Sequence, residues 1–506
     1  MLLVHFVVVL YIQFTSRNTI EKLRSTSCTS ASHTVLFTLA SYMVGLEGQL
    51  RQLQDIASCA QPLTSFNPLV IPTTNGRRYL SILSSLYEIP KAMLSRSHHS
   101  LRALSRTGRA LAVRIDSPLS QQTVRRKSGP YGYTQAKALV FSKNGEPSDV
   151  LQLHTFSISP SISSKSVLLR SLAAPINPAD INTIQGTYGS QPSFTSLIGT
   201  SSPSVIPGNE GVFEVVSTGD PASPIRKGDW VIPAVAQFGT WRTHAVAELD
   251  QVLKIDKEGL RATQAATISV NPSTAYRILR AYGPSTGLGG IGMRPLEVGS
   301  GEWFIQNGAN SGVGRAAIQL GKLWGLRSIN IVRERSSPEE TEALKAELIS
   351  LGADVVVTET QFLSREWRDQ LAEITNKGRD QIGLGLNCVG GKSATALARS
   401  LSEGATMVSY GGMAKQPVAL PVGLLIFKDI RFVGFWLSRW NQQDVAGRKH
   451  MINDIVDLIR QGKFQDVPLD EVPWNWDTDI STLAQEVQGG LQGFRRGKGI
   501  FVFGDT

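Results

Sequence analysis

A short glycine-containing motif stands between a predicted strand and a predicted helix. Residues 303–306 form an apolar run typical of a strand, and a helical pattern begins at Val313; between them lies Asn310-Ser311-Gly312-Val313-Gly314. Glycines at such a junction let the backbone approach a phosphate closely, and the first N–H groups of the helix are free to bind it. The motif therefore predicts a pyrophosphate site, with a tight turn that binds no ligand as the alternative.

Charged residues follow the next predicted strand, residues 329–332, as the segment Arg333-Glu334-Arg335. In dinucleotide-binding folds an acid at this position binds the ribose 2′-hydroxyl of NAD, whereas an arginine accommodates the 2′-phosphate of NADP. Because two guanidinium groups flank the single carboxylate, we expect NADPH as the cofactor. A solvated charge cluster is the alternative interpretation.

The elements that position these motifs alternate regularly along the chain. The predicted helix at 313–324 places Val313, Ala317, Leu320 and Trp324 on one face. Such alternation predicts an α/β fold, with a doubly wound parallel sheet of the Rossmann type. The predicted strands are residues 303–306, 329–332, 354–357, 382–388, 407–410 and 432–435.

An earlier part of the chain shows short strand-like runs separated by Gly and Pro, among them 136–141, 150–153 and 167–173. The apolar C-terminal residues 499–503 are a predicted strand that returns to this first sheet. We therefore divide the chain into four parts: an N-terminal extension (1–130), a β-rich catalytic domain (131–268), an NADPH-binding domain (269–437) and a segment that returns to the catalytic domain (438–506).

The net charge of +10 is concentrated at the N terminus. Residues 1–130 hold 15 Lys/Arg and 5 Asp/Glu, whereas residues 131–506 hold 36 of each. A nucleic-acid-binding protein needs a basic face on its folded part, so we expect no nucleic-acid partner. A basic, acid-poor N terminus is instead typical of a targeting signal.

Cysteine usage argues against a stapled fold and against a structural zinc site. The three cysteines are Cys28, Cys59 and Cys388, and only the last lies beyond the basic segment. No disulfide can form within residues 131–506, and the chain contains no Cys-x-x-Cys pair. We therefore expect no metal.

Two motifs in the predicted catalytic domain resemble a known family. Ala174-Pro175-Ile176-Asn177-Pro178-Ala179-Asp180-Ile181-Asn182 leads into Ile184-Gln185-Gly186-Thr187-Tyr188-Gly189, and Gly208-Asn209-Glu210-Gly211 follows. They resemble the GroES-like catalytic domain of the medium-chain dehydrogenases/reductases. Zinc-dependent members have a histidine where this chain has Asn209, and a cysteine earlier, so the resemblance is to zinc-free members.

The chain most resembles the mitochondrial trans-2-enoyl-thioester reductases of that superfamily, over about residues 133–506. Besides residues 177–188, the resemblance rests on Asn271-Pro272-Ser273-Thr274-Ala275-Tyr276, Tyr410-Gly411-Gly412-Met413 and Phe435-Trp436-Leu437. It implies NADPH-dependent reduction of trans-2-enoyl-acyl carrier protein or -CoA to the saturated thioester. It further implies a homodimer that takes part in fatty-acid synthesis in the mitochondrial matrix.

The resemblance also implies roles for single residues. Tyr188 matches the family's proton donor, and Glu334 stands where the family often has Asp. A turn tyrosine at 188 and core side chains at 435–437 are the structural alternatives. The implied cofactor contacts are Asn271 on the nicotinamide side, Asn310, Ser311, Gly312 and Val313 at the pyrophosphate, Arg333, Glu334 and Arg335 at the 2′-phosphate, and Tyr410, Gly411, Gly412, Met413, Phe435, Trp436, Leu437 and Lys498 along the rest of the molecule.

Two other functions stay open at this point. A quinone oxidoreductase shares the zinc-free fold and the NADPH loop, but residues 177–188 and the pair Phe435-Trp436 favour the enoyl reductase. A non-catalytic protein that uses the same fold to bind nucleic acid would need a basic stripe on residues 131–506, and their charge balance disfavours it.

Residues 93–130 have the composition of a mitochondrial transit peptide. They carry eight basic residues against one acid, Asp116, are rich in serine, and repeat leucine at helical spacing. Residues 1–92 are then either a misassigned upstream extension or part of an unusually long presequence. The apolar residues 1–14 fall short of the roughly 20 residues that span a bilayer, so we expect no stable membrane insertion.

We predict that the mature protein begins between about residues 115 and 133, because import machinery reads and removes a basic amphipathic segment of this kind. N-terminal sequencing of the protein from its native cells measures the start directly. An intact chain that begins near Met1 and fractionates with membranes would contradict the prediction.

Overall fold

The computed structural model describes residues 132–280, 299–490 and 497–506. These residues form two large β-sheets, one small β-sheet and the helices that cover them. In chain order the strands are β1 (Thr134–Val140), β2 (Gln152–Ile158), β3 (Ser166–Pro175), β4 (Val212–Thr218), β5 (Trp230–Pro233), β6 (His244–Glu248), β7 (Val252–Ile255), β8 (Trp303–Gln306), β9 (Arg327–Val332), β10 (Val355–Thr358), β11 (Ile382–Asn387), β12 (Thr406–Ser409), β13 (Arg431–Gly434), β14 (Leu469–Trp474) and β15 (Lys498–Phe503).

The α-helices of the described residues lie mostly between the strands of the second half of the chain. In chain order they are α1 (Pro147–Val150), α2 (Pro178–Ile184), α3 (Ala262–Thr267), α4 (Asn271–Arg280), α5 (Gly312–Leu323), α6 (Pro338–Ser350), α7 (Glu359–Leu363), α8 (Trp367–Ile374), α9 (Gly391–Ser400), α10 (Val422–Ile426), α11 (Leu437–Gln443), α12 (Val445–Arg460) and α13 (Ile480–Gly489).

Six strands form a parallel sheet in the order β10-β9-β8-β11-β12-β13. The chain starts in the middle of the sheet at β8, moves outward to β10, and then crosses to β11 and continues to β13. Such a reversal of strand order leaves a crevice at the carboxyl ends of β8 and β11, which is where doubly wound sheets bind their ligands. The predicted α/β fold with a Rossmann-type sheet is confirmed.

The first part of the chain forms a seven-stranded, mostly antiparallel sheet in which β3 is central. β3 pairs with β4 on one side; on the other side β6 pairs with its first half and β15 with residues 173–175. β14 lies outside β15 and runs parallel to it. The C-terminal segment therefore completes the sheet that the first part of the chain begins.

One apolar core lies between the two sheets and contacts both. Helices α4 and α12 supply its centre through residues such as Ile278 and Ile455, both fully buried. Ile232 of β5 and Phe304 of β8 belong to the same cluster, one from each large sheet. The two sheets are thus held together by shared burial and not by a flexible connection.

Two local features show how single residues decide where a helix or a strand begins. Ser337 caps α6: its Oγ accepts a hydrogen bond from the Glu340 N–H at 3.2 Å, and Pro338 occupies the first helical position. The strand predicted at 150–153 is wrong at its start, because Pro147–Val150 forms a turn of helix and the strand begins at Gln152. Proline at the first position of a helix favours that turn.

The predicted extension of residues 1–130 lies outside the described residues. Within residues 132–280, 299–490 and 497–506, every helix is too short or too polar to cross a membrane. The predicted division of the chain into four parts stays a prediction.

Candidate active site

A cleft of about 820 Å³ opens between the carboxyl edge of the parallel sheet and the loops around α2. Its walls come from both large sheets, as expected for a site between two domains. Three of the predicted residues, Arg333, Glu334 and Arg335, are absent from its lining. The predicted residues that line it are Tyr188, Asn271, Asn310, Ser311, Gly312, Val313, Tyr410, Gly411, Gly412, Met413, Phe435, Trp436, Leu437 and Lys498.

The N terminus of α5 faces this cleft. Ser311 caps the helix, its Oγ accepting from the Gly314 N–H at 3.1 Å. A Cβ atom at Gly314 would lie 2.4 Å from the carbonyl oxygen of Ala309, so the loop closes this tightly only with glycine there. A Cβ atom at Gly312 would lie 2.9 Å from the Asn271 side chain, so a larger residue would not fit there. With glycine, the backbone itself lines the cleft at this position. This cradle fits the pyrophosphate of a dinucleotide.

Arg333, Glu334 and Arg335 lie directly after β9, outside the cleft lining. Burial alone would raise the pKa of the Glu334 carboxyl, but hydrogen bonds from Thr358 and Thr360 outweigh it and hold that pKa at about 2. The Thr360 N–H donates to Glu334 Oε1 at 3.1 Å. Glu334 is therefore an ionised, anchored carboxylate, and Arg333 beside it is exposed.

Arg315 is a cleft residue that the sequence analysis missed. It lies in the first turn of α5 and is 5% exposed. Its Nε donates to Asn310 Oδ1 at 2.8 Å, and it forms an ion pair with Glu347 at 2.7 Å. A positive charge directly after the phosphate-binding motif was the available signal.

Tyr188 lies in the loop after α2, and its backbone N–H donates to the carbonyl of Asn182 at 3.1 Å. The phenol oxygen accepts a hydrogen bond from Trp436 Nε1 at 3.1 Å, although the two residues are 248 positions apart. Burial raises the pKa of Tyr188; the Trp436 hydrogen bond opposes this, and the negative charge of Asp180 adds to it. The phenol therefore keeps its proton at neutral pH, as a general acid must.

Near Tyr188 lies a cluster of charged side chains, in which Asp180 and Glu210 are fully buried and Lys498 is partly buried. Burial raises the pKa of both carboxyls and lowers that of the ammonium, while attraction between the opposite charges works against each of these shifts. Asp180 accepts from the N–H groups of Asn177 and Asn209 at 2.9 and 3.0 Å. Sequence reasoning found Lys498 but gave the two acids no role; the partners of Glu210, Asn177 and Val270, are far from it in the sequence.

The remaining predicted contacts lie at the carboxyl ends of β12 and β13. The Met413 N–H donates to the carbonyl of Cys388 at 2.8 Å, and the Phe435 N–H to that of Ser409 at 3.0 Å. Phe435 and Leu437 are also buried in the apolar core, whereas Trp436 is 40% exposed. Phe435 and Leu437 thus belong to the core and also line the cleft, and the cofactor contacts of this segment stay a prediction.

The side chain of Asn209 forms structural hydrogen bonds. This residue stands at the position of the histidine in the zinc-dependent members. Its Nδ2 donates to Asp180 Oδ1 at 2.8 Å, and its Oδ1 accepts from the Gln237 N–H at 2.7 Å. Across the described parts of the chain, His, Cys, Asp and Glu side chains form no group of three that could hold a metal ion.

Comparison with known proteins agrees with this geometry. The profile described as "Alcohol dehydrogenase GroES-like domain" matches residues 163–257, and the one described as "Zinc-binding dehydrogenase" matches residues 312–453. The fold and the cleft thus define a medium-chain dehydrogenase/reductase.

A narrower assignment comes from single relatives. The mitochondrial enoyl-[acyl-carrier-protein] reductase of Yarrowia lipolytica is 44% identical over 333 residues, 66% of this chain and 82% of the relative. The structure of the Etr1p/NADP/crotonyl-CoA complex and that of the mitochondrial 2-enoyl thioester reductase Etr1p/Etr2p heterodimer from Candida tropicalis are each 37% identical. Each has a TM-score of 0.66 and covers 73% of this chain and 99% of its own. The chain belongs to the mitochondrial enoyl-[acyl-carrier-protein] reductases, and the predicted resemblance is confirmed.

Proposed function

We propose that this chain reduces trans-2-enoyl thioesters to saturated acyl thioesters with NADPH, in the cleft between its two sheets. The observation that carries the proposal is the contact between Tyr188 and Trp436, which brings a proton donor from one wall against the predicted cofactor wall. A relative solved with NADP and crotonyl-CoA supports both the cofactor and the substrate class.

The reaction divides between cofactor and protein. When bound, NADPH supplies the hydride that adds to the β-carbon of the enoyl group. The α5 N terminus and Asn271 hold the cofactor, and hydrogen-bond donors in the cleft stabilise the charge that develops on the thioester oxygen. The Tyr188 phenol then gives its proton to the α-carbon, which completes a saturated acyl chain without a metal.

The acyl group is carried by CoA or by acyl carrier protein. Crotonyl-CoA occurs in the complex of a relative, and the names of the relatives specify the carrier protein. Both carriers present the same thioester, so one cleft serves both. We include acyl carrier protein as a partner on this basis.

A mitochondrial location follows from the family, whose members carry it in their names. Within the mitochondrion, we infer the matrix. The basic, amphipathic residues 93–130 support import, and the balanced charge of residues 131–506 suits a protein that acts after that segment is removed.

A homodimer is supported by an apolar surface next to the edge strand β13. Helix α10 and the residue after it expose Val422, Leu425, Ile426 and Phe427, and Phe427 is 79% exposed. Contiguous exposed apolar side chains of this kind mark protein interfaces, and the edge of β13, which pairs with no other described strand, offers main-chain hydrogen bonds. A second copy of this chain is the occupant we propose, and the dimeric relative supports it.

Replacing Phe427 by Asp should therefore convert the protein to a monomer, because a charge would be buried in the interface. Sedimentation velocity measures the change. The matched control is Leu197→Asp, since Leu197 is 90% exposed in a loop of the other sheet and should leave the dimer intact. A variant at 427 that still sediments as a dimer would show that the interface lies elsewhere.

Replacing both Arg333 and Arg335 by Ala should weaken NADPH binding about tenfold or more while NADH binding changes little, since only NADPH carries the 2′-phosphate. Dissociation constants from nucleotide fluorescence test this, with exposed Arg379→Ala as the control. Equal losses for both nucleotides would mean that these arginines do not read the 2′-phosphate.

Tyr188→Phe should keep the fold and the NADPH affinity but lower kcat by roughly 10²–10⁴-fold, the usual contribution of a general acid. The phenyl ring preserves packing, so the variant tests the hydroxyl alone. The assay follows NADPH consumption with a trans-2-enoyl-CoA, and with a quinone as the comparison substrate. A loss below about tenfold would transfer the proton donor's role to water or another group, and a wild-type protein active only on the quinone would overturn the proposed function.

A further inference from the structure

Glu210 is a fully buried carboxylate at which three separate segments of the chain meet. Its Oε1 accepts from the Val270 N–H at 2.8 Å and from Ser269 Oγ at 3.3 Å, both just before α4. Its Oε2 accepts from Asn177 Nδ2 at 3.0 Å, at the start of α2. Both oxygens therefore act only as acceptors.

The Asn177 amide extends this arrangement towards the cleft. Because Nδ2 is used by Glu210, Oδ1 must point the other way. There it accepts from Lys498 Nζ at 2.5 Å and, at the longer distance of 3.4 Å, from Asn271 Nδ2. Asn177 is itself 4% exposed, so no bulk water replaces either partner.

We propose that Glu210 and Asn177 are positioning residues that orient Lys498 and Asn271 towards the cofactor. The inference rests on the proposed function, in which those two residues contact NADPH. Both line the cleft, and Asn271 also lies against Gly312 at the α5 N terminus. Glu210 would thus influence cofactor binding through Asn177, which contacts both Asn271 and Lys498, without touching the cofactor itself.

The direction of the hydrogen bonds makes the carboxylate necessary. Val270 donates a hydrogen bond to Glu210 from one side. On the other side Lys498 donates to Asn177, and Asn177 in turn donates to Glu210. The side chain at position 210 must therefore accept hydrogen bonds on both of its terminal atoms. An amide at position 210 places an N–H group against either Asn177 Nδ2 or the Val270 N–H. If Asn177 rotates to relieve this clash, its Nδ2 faces the Lys498 ammonium. An unsatisfied or opposed buried donor therefore remains in every orientation.

The same reasoning predicts a rescue. In the double variant Glu210→Gln/Asn177→Asp, the introduced amide accepts from Val270 and donates to the introduced carboxylate. That carboxylate then accepts from both sides, including from Lys498. The residue that accepts hydrogen bonds from both sides is then 177 instead of 210, and the number of charges is unchanged. The second substitution would not repair a general loss of packing, but it would repair a mismatch between hydrogen-bond donors and acceptors.

The experiment measures the Kd for NADPH by fluorescence, with kcat and KM for a trans-2-enoyl-CoA, on the full chain with near-UV circular dichroism as a check of folding. Glu210→Gln should weaken NADPH binding about tenfold, and the double variant should return to within about threefold of wild type. Asp454→Asn, which removes a carboxylate that accepts from Tyr276 Oη, is the control and should bind NADPH as wild type does.

Unchanged NADPH affinity in folded Glu210→Gln, or a double variant weaker than the single one, would overturn the inference. If Glu210→Gln does not fold, Asn177→Ala takes its place, and wild-type affinity in that variant overturns the inference equally. A wild-type protein that binds no NADPH would instead refute the proposed function, so the two failures are distinguishable.

Discussion

The geometry of the cleft depends on the burial of α4 and α12 between the two large sheets. These helices share one apolar core with strands of both sheets, so the same buried side chains support both walls of the cleft. The contact between Tyr188 and Trp436 is a consequence, because each side chain is held by a different wall. A core shared in this way preorganises groups that the sequence keeps far apart, which is what electrostatic catalysis requires.

Against this apolar background the buried charges stand out. Burying Asp180 and Glu210 beside the partly buried Lys498 costs free energy, and such clusters are often no more stable than well-packed apolar residues of the same size. Here every contact described for the cluster orients a group that lines the cleft or supports the loop that carries Tyr188. The benefit of such a costly arrangement is then the orientation of side chains by hydrogen bonds, and not stability.

Features set by neighbouring residues could be predicted from the sequence. β8 and α5 follow from a strand-length apolar run and the helical spacing of Val313, Ala317 and Leu320, and the start of α6 follows from Ser337 and Pro338. α1 was missed because four residues are too few to show a helical period. The role of Glu210 was invisible because its partners lie at 177 and 270, and no local pattern encodes a contact across such separations.

The pairing of β15 with β3 has a consequence for how the chain is made. Residues 173–175 of β3 find their partner only in residues 500–502, so this edge stays open until that later part of the chain has been made. Phe501, which packs edge-on against Trp241 and Trp474, is equally late. A nascent chain therefore presents an apolar strand edge at residues 173–175 until residues 500–502 have been made. This part of the sheet is thus among the last to close, although its first strand is made early.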